Sequence, residues 1–134
     1  MDASPPLQSV RTIVDVYNAS AGKFGDEPAF FSRRADGSYE PTSYRELYDH
    51  GLALATALID LGVEAREHVA LLADNRLEWI IADFGVLLAG AADVPRGTDI
   101  TPGEIDYIIN HADVRVVFVE TSSMLDKFHK CRPR

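Results

Sequence analysis

The residues best suited to bind a ligand are Arg96 and Gly97, which follow a short apolar run that ends in a proline. An arginine can bind a phosphate through several N–H donors, and a glycine lets the backbone come close to it. In a parallel α/β sheet, ligands bind outside the carboxyl ends of the strands. Three segments follow predicted strands here, at 73–75, 95–99 and 120–122. The pattern therefore indicates a phosphate-binding site at this edge of the sheet. The alternative is that the segment at 95–99 is a solvated loop that binds no ligand.

No arrangement typical of catalysis or metal binding occurs in the sequence. The nine glycines form neither GxGxxG nor GxxxxGK, and there is no GxSxG. The four histidines have no metal-ligand spacing with one another or with Cys131. His111 is expected near the end of a helix, where a positive charge is favourable. We therefore predict no catalytic residue and no metal site in this chain.

Length and composition indicate a small acidic protein. The 134 residues suggest a single α/β domain over 9–131, with a flexible arm at 1–8 and a short tail at 132–134. A net charge of −8 argues against nucleic acid as a partner. One cysteine cannot form an internal disulfide, which favours a reducing cytoplasm. The apolar run at 84–92 falls well short of the ~20 residues that a membrane span needs.

The stretch at 68–95 has the pattern of a strand, a helix and a second strand. The runs at 68–73 and 91–94 are apolar and of strand length, and a helix is predicted between them at 76–89. Asn75 and Glu78 have the spacing of a capping box at the start of that helix. A helix that lies back along a strand in this way forms a parallel crossover unit. The helix is apolar almost all round, so we expect it to be covered on more than one side.

The rest of the chain supplies a hairpin, further helices and a third parallel strand. The predicted elements are a helix at 9–21 that ends at Gly22, a hairpin of 29–33 with 39–41, a helix at 43–61, a helix after Thr101, a strand at 114–119 and a last helix capped by Thr121 or Ser122. Capping-box spacings recur at Ser43-Glu46 and Thr101-Glu104. Small residues at Gly51 and Ala55 are expected to let their helix approach a sheet. The predicted fold is therefore α/β and layered, with a mostly parallel sheet, flanking helices and an N-terminal β-hairpin.

A set of short motifs identifies a family that the chain resembles. In chain order these are TSYREL at 42–47, ALIDLGV at 57–63, HVALLADN at 68–75, EW at 78–79, GA at 90–91, VP at 94–95, TP at 101–102, EI at 104–105 and VRVVFVE at 114–120. Their order and spacing resemble the N-terminal part of AMP-forming acyl-CoA synthetases, which belong to the adenylate-forming enzymes. The chain is most similar to the long-chain fatty acid–CoA ligase branch, which often carries VPRGTD, found here at 94–99, where other members have Val-Asn-Pro.

The resemblance implies a reaction and also a missing part. A fatty acid carboxylate attacks the α-phosphate of ATP to give acyl-AMP and pyrophosphate, and coenzyme A then displaces AMP. The parent enzyme would use ATP, Mg²⁺ and coenzyme A. The family's phosphate loop ending in Lys, its Tyr-Gly-x-Thr-Glu segment, its ribose-binding Asp and its C-terminal Lys all lie downstream of this region. We therefore expect an N-terminal fragment that is folded, catalytically silent and without a bound cofactor of its own.

The resemblance also implies site residues and partners. In some relatives the loop after the second parallel strand and the segment after the third approach the coenzyme A nucleotide, which makes Arg96, Gly97 and Lys127 the coenzyme A candidates. The expected partners are the remainder of the ligase chain, a fatty acid, ATP and coenzyme A, and the parent could lie at a membrane periphery. Some long-chain relatives pair through this region, and the apolar helix at 76–89 is a second reason to expect a homodimer.

A different class of function stays open beside this one. The chain could be a non-catalytic α/β binding or interaction module, with no reaction of its own. A phospho-receiver is disfavoured, because a receiver needs paired acids after its first sheet strand and a Lys after its last. No acid pair follows 29–33 here, and Glu120 follows the last predicted strand.

Overall fold

A computed structural model describes residues 10–131 of the chain. The predicted arm at 1–8 and tail at 132–134 lie outside these described residues. In chain order the elements are α1 (Ile13–Phe24), β1 (Pro28–Arg33), β2 (Tyr39–Ser43), α2 (Tyr44–Asp60), β3 (His68–Leu72), α3 (Leu77–Leu88), β4 (Ala92–Arg96), α4 (Pro102–His111), β5 (Val114–Val119) and α5 (Ser122–His129). Within residues 10–131 no helix is long and apolar enough to cross a membrane.

The strands form two separate sheets. The larger sheet has the order β4-β3-β5, and both of its strand pairs are parallel. Leu72 at the end of β3 lies opposite Arg96 of β4 and Val119 of β5, so the carboxyl ends of the three strands meet at one edge. β1 and β2 pair antiparallel as a hairpin and form a sheet of their own. The predicted α/β class, with a parallel sheet and an N-terminal hairpin, is confirmed.

Helices cover both faces of the parallel sheet because its strands alternate between two apolar cores. Side chains of α4 and α5 pack with Leu72 on one face, in a cluster that includes the fully buried Ile105 and Met124. On the other face, Leu58 of α2 and Val86 of α3 pack with Val69 of β3. The near-continuous apolar sequences of β3 and β5 are what a strand covered on both faces requires. The sheet is thus the middle layer of three.

The helices α2 and α3 pack at short range through two glycines. A Cβ placed on Gly51 of α2 would lie 2.3 Å from Cδ1 of Phe84, and one on Gly85 of α3 would lie 2.8 Å from Cδ2 of Leu54. Phe84 is fully buried, and its ring also stacks on Tyr17 of α1 with the ring centroids 4.0 Å apart. The expectation that Gly51 lets its helix approach a sheet was wrong, because the neighbour that it admits is another helix.

The first helix has different ends from those predicted. It begins after Thr12, whose side chain and Asp15 form a capping box, and it runs through Gly22 to Phe24. Gly25 ends it with a φ of +44°, a conformation that L side chains rarely adopt. The prediction that Gly22 ends this helix was wrong, because a glycine inside a helix costs only about 1 kcal/mol. The cap at Thr12 makes the helix begin later than the predicted residue 9.

The start of α3 also differs from the prediction, while the other two predicted capping boxes are confirmed. Asn75 does not cap α3, because Arg76 stands at the N-cap position without a side-chain cap hydrogen bond. The carboxylate of Glu78 instead accepts two hydrogen bonds from the Arg76 guanidinium, at 2.6 and 2.9 Å. The same guanidinium also donates to Glu120 at 3.2 Å, so contacts that form only in the folded chain set the position of Arg76. Ser43 and Thr101 form the boxes predicted for α2 and α4, and Thr121 caps α5.

Candidate functional site

A cleft of about 570 Å³ opens where β3 and β4 end. Its walls combine one aromatic ring, one cation and two further polar or charged side chains, those of Asp74 and Asn75. The lining residues are Ala73, Asp74, Asn75, Trp79, Pro95, Arg96 and Gly97. The parallel register therefore brings together the first two loops that the sequence placed at the ligand-binding edge.

The third loop contributes to a smaller neighbouring cavity. This cavity of about 250 Å³ lies between α3 and β5 and includes Phe118 and Glu120 in its lining. Trp79 lines both this cavity and the larger cleft. The three strand ends are thus neighbours, and the only tryptophan of the chain lies between the two openings.

Arg96 supplies the positive charge of the cleft. Its side chain is 44% exposed, and its Nη2 lies 3.9 Å from Oε1 of Glu104. This distance is too long for a hydrogen bond, and an exposed ion pair of this kind adds little stability. Glu104 is itself held by the Thr101 capping box, whose hydroxyl donates to its Oε2 at 2.7 Å. The guanidinium is therefore accessible to an anion that enters the cleft.

Gly97 lies beside two carboxylates. A Cβ at this position would be 3.0 Å from Oδ1 of Asp99 and 3.4 Å from Oδ1 of Asp74. A side chain here would crowd the carboxylate of Asp99 and would contact that of Asp74. The same carboxylates disfavour an anion near Gly97, which leaves Arg96 as the element of this loop that attracts one.

The loop after β4 is attached to the loop after β3 through Asp74. The N–H of Thr98 donates to Oδ1 of Asp74 at 2.9 Å, and the Thr98 hydroxyl donates to Oδ2 at 2.7 Å. These two bonds, the hydroxyl first, hold the pKa of Asp74 below its usual range. The sequence gives no local sign of this pairing, because 24 residues separate the partners.

Glu120 attaches the third strand end to the same network. Its Oε2 accepts the N–H of Asp74 at 2.7 Å, and its Oε1 accepts Nη1 of Arg76 at 3.2 Å. The Glu120 side chain is only 18% exposed, so these bonds are partly shielded from water. A carboxylate that bridges a backbone N–H and a guanidinium ties the end of β5 to the loop after β3.

Lys127 belongs to α5, but its side chain contacts the loop after β4, which directly follows Arg96. Its Nζ donates to the carbonyl oxygens of Thr98 at 2.8 Å and Ile100 at 3.3 Å. The three coenzyme A candidates therefore surround one loop, but the Lys127 ammonium is engaged by backbone carbonyls. Sequence reasoning placed Lys127 near the loop through a family resemblance and gave no indication of these two bonds.

Two further groups show how burial affects ionisable side chains in this fold. Cys131 is buried, with Sγ 3.1 Å from the carbonyl oxygen of Pro102, and burial raises the pKa of its thiol. Burial, and then the nearby carboxylate of Asp93, raise the pKa of Asp83 to about 6. Within residues 10–131, no group of three or more His, Cys, Asp or Glu side chains is arranged to hold a metal ion.

The fold is a three-layer α/β arrangement with a cleft at its strand ends, and comparison with known proteins gives the family. The model of the AMP-binding enzyme family matches residues 17–134. The chain belongs to this family. The predicted resemblance to acyl-CoA synthetases is thereby confirmed. The chain corresponds to the N-terminal region of such ligases.

Individual relatives are similar over almost the whole chain. It is 30% identical over 126 residues to a chloroplastic long-chain-fatty-acid–acyl-carrier-protein ligase of Arabidopsis thaliana, covering 94% of this chain and 17% of the relative. It is 29% identical to the long-chain-fatty-acid–CoA ligase ACSBG2 of Rattus norvegicus, covering 96% of this chain and 19% of the relative. The chain therefore spans less than one-fifth of the length of these curated relatives.

A solved structure gives the same result for the fold. The anthranilate CoA ligase AuaEII, in complex with anthranoyl-AMP, superposes with a TM-score of 0.80 at 25% sequence identity. The superposition covers 97% of this chain and 24% of the ligase. The layered arrangement described above is thus one portion of the architecture of an adenylate-forming ligase.

Proposed function

We propose that this chain is the N-terminal part of an AMP-forming fatty acid–CoA ligase. In the proposed reaction a fatty acid carboxylate attacks the α-phosphorus of ATP, and the bond to the leaving pyrophosphate breaks. The thiol of coenzyme A then attacks the acyl carbon of acyl-AMP, releasing AMP and a proton. The family match over residues 17–134 is the observation that supports this proposal, and the similarity to long-chain fatty acid ligases favours a long-chain substrate.

The proposed role of this chain within that enzyme is to supply part of the coenzyme A surface. Arg96 is the exposed cation of the cleft, and Gly97 lines the cleft beside it without a side chain. A nucleotide phosphate near the guanidinium would gain a charge-assisted hydrogen bond. We place the phosphate on the Arg96 side because Asp74 and Asp99 adjoin Gly97.

The residues described here do not fit a complete site for ATP and Mg²⁺. Residues 10–131 provide no cluster of three metal-ligating side chains, and the sequence has no glycine-rich phosphate loop. No chemical step is therefore assigned to this segment. We also propose that this chain packs against the remainder of the ligase, that the protein forms a homodimer, and that it acts in the cytoplasm. Residues 9–131 are proposed to form a single domain.

The experiment that tests this proposal begins with the DNA that follows codon 134. An open frame that reaches a Thr/Ser/Gly-rich loop with a Lys supports the ligase, and its product should convert a long-chain fatty acid, ATP and coenzyme A to acyl-CoA. The isolated chain should catalyse no exchange between ATP and pyrophosphate. A stop codon directly after residue 134, or exchange by the isolated chain, would contradict the proposal and in the first case favour an interaction module.

A further inference from the structure

Thr98 is held by each of its polar groups. Its N–H and its hydroxyl both donate to the carboxylate of Asp74, at 2.9 and 2.7 Å. Its carbonyl oxygen accepts Nζ of Lys127 at 2.8 Å. We refer to Asp74, Thr98 and Lys127 as the Thr98 clamp. The loop after β3 therefore holds Thr98 through its N–H and hydroxyl, and the helix α5 holds it through its carbonyl oxygen.

Helix α5 holds this loop at more than one point. Nζ of Lys127 also lies 3.3 Å from the carbonyl oxygen of Ile100, and the contact is partly buried. Just past the end of α5, the buried Sγ of Cys131 lies 3.1 Å from the carbonyl oxygen of Pro102. The loop therefore follows α5 from Thr98 to the start of α4, and Lys127 is the charged contact in that series.

These contacts change the role of Lys127 from the one that the resemblance implies. An ammonium has three N–H donors and no acceptor, and two of its directions here are taken by carbonyl oxygens. The third donor is not used by these bonds, but Lys127 does not line the cleft. Arg96, by contrast, has only an exposed ion pair at 3.9 Å. The two cations are therefore in different situations, although they adjoin the same loop.

We propose that Lys127 is a positioning residue, which acts on the coenzyme A surface through the Thr98 clamp and makes no contact with the ligand's phosphates. The clamp fixes the backbone that directly follows Arg96 and Gly97, so it sets where the guanidinium and the open glycine face the cleft. The inference that the ligand is a coenzyme A nucleotide rests on the proposed function. The inference that Lys127 fixes the loop rests on the hydrogen bonds alone.

The test separates positioning from contact by the use of two ligands and three variants. Coenzyme A and 3′-dephospho-coenzyme A differ by one phosphate, and fluorescence of Trp79, the only tryptophan, reports binding at the cleft that it lines. Lys127→Met removes the ammonium, and Lys127→Gln restores a neutral N–H donor. Lys130→Met is the matched control, because Lys130 is an exposed lysine at the end of the same helix. Amide hydrogen exchange at Thr98 and Ile100 follows the loop directly, with the amides of α3 as the reference for global folding.

If Lys127 positions the loop, Lys127→Met weakens binding of both ligands by the same factor, about tenfold as for the loss of one charged hydrogen bond. It also accelerates exchange at Thr98, while Lys127→Gln recovers part of both effects and Lys130→Met changes neither. A loss confined to coenzyme A, or an equal loss with exchange at Thr98 unchanged, would show direct contact with the 3′-phosphate or with the diphosphate that both ligands carry, and would overturn the proposal. If the wild-type chain binds neither ligand, the proposed coenzyme A surface fails. The exchange rate of the Thr98 amide still tests the Thr98 clamp in that case: it should be faster in Lys127→Met than in Lys130→Met, and equal rates would show that Lys127 does not hold the loop.

Discussion

Gly51 lies directly against the ring of Phe84, so that a Cβ on this glycine would come 2.3 Å from Cδ1 and 2.9 Å from Cε1 of the ring. The relationship is reciprocal between the two helices, because Gly85 of α3 faces the Leu54 side chain of α2. Phe84 in turn stacks on Tyr17, and Tyr48 lies beside the same ring at a centroid distance of 5.7 Å. The α1–α2–α3 layer is therefore organised around one fully buried aromatic ring.

The first prediction follows from this contact. Gly51→Ala adds a methyl group where no space exists, and the rigid Phe84 ring cannot move without disturbing Tyr17. We expect the variant to lower the free energy of unfolding by about 1–3 kcal/mol, the usual cost of overpacking. Denaturation in urea measures the change. Gly22→Ala is the matched control, because a Cβ at Gly22 of α1 meets nothing within 4 Å, and this substitution should stabilise by about 0.5–1 kcal/mol.

A second prediction concerns the pH dependence of stability. Burial and the neighbouring Asp93 raise the pKa of Asp83 from the ordinary 3.8 to about 6, so the folded state binds a proton more tightly than the unfolded chain. Stability from this group is therefore full below pH 3.8 and is lost as the pH rises through about 6. Asp83→Asn should be more stable than the wild type at pH 8, by about 1 kcal/mol because solvent screening reduces the effect of a half-buried group.

Unfolding of both proteins at pH 4, 6 and 8 tests this linkage. The advantage of Asp83→Asn should shrink toward pH 4, where the wild-type carboxyl is protonated and resembles the amide in charge. Asp49→Asn, at an exposed position on α2, controls for the loss of one negative charge from an acidic protein. An advantage that is the same at pH 4 and pH 8, or the same in the control, would contradict the assigned pKa.

The fold could be predicted to the extent that its signals are local. The capping boxes at Ser43 and Thr101 depend on residues three positions apart, and the apolar strand pattern gave the parallel sheet. The start of α3 could not be predicted in this way. Arg76 pairs with Glu78 and also with Glu120, which is 44 residues away, so the choice between a neutral cap and a charged network depends on the folded chain.

The candidate site shows the same division. The position of Arg96 at a strand-end edge follows from the parallel topology, which the sequence pattern indicated. The bonds from Thr98 to Asp74 and from Lys127 to Thr98 join residues 24 and 29 positions apart. Spacings of this size carry no periodic signal, because only the approach of β3, β4 and α5 in the folded molecule brings the groups within hydrogen-bond distance.

A third prediction tests the bond between Asp74 and Thr98 by titration. The Thr98 hydroxyl is the largest contributor to the lowered pKa of Asp74, followed by the Thr98 N–H. Thr98→Val removes the hydroxyl and keeps the shape, so the pKa of Asp74 should rise toward its usual range, while Thr98→Ser should leave it low. Carboxyl carbon shifts measured by NMR during acid titration give these values. Asp36, whose pKa is lowered by Ser38 in the hairpin turn, should be unaffected and serves as the internal control.

A fourth prediction concerns the reactivity of Cys131. Burial raises the pKa of this thiol, so little thiolate forms near neutral pH, and the side chain is covered by its neighbours. The native chain should react with a disulfide reagent at pH 8 at least tenfold more slowly than the chain unfolded in guanidinium. Equal rates in the two states would contradict the burial of Sγ beside Pro102. The assay is unambiguous because the chain contains one cysteine.

The last prediction concerns Arg96 and uses a matched residue at the other end of the sheet. Arg96→Ala should weaken coenzyme A binding about tenfold, the effect of losing a charge-assisted hydrogen bond, and the effect should diminish as salt is added. In a longer parent ligase the same change should raise KM for coenzyme A and leave acyl-AMP formation unchanged. Arg115→Ala is the control, since Arg115 is also exposed and pairs with Glu67, but it lies near the beginning of β5 and away from the cleft. Equal losses in the two variants would mean that net charge, and not the position of Arg96 at the strand ends, controls binding.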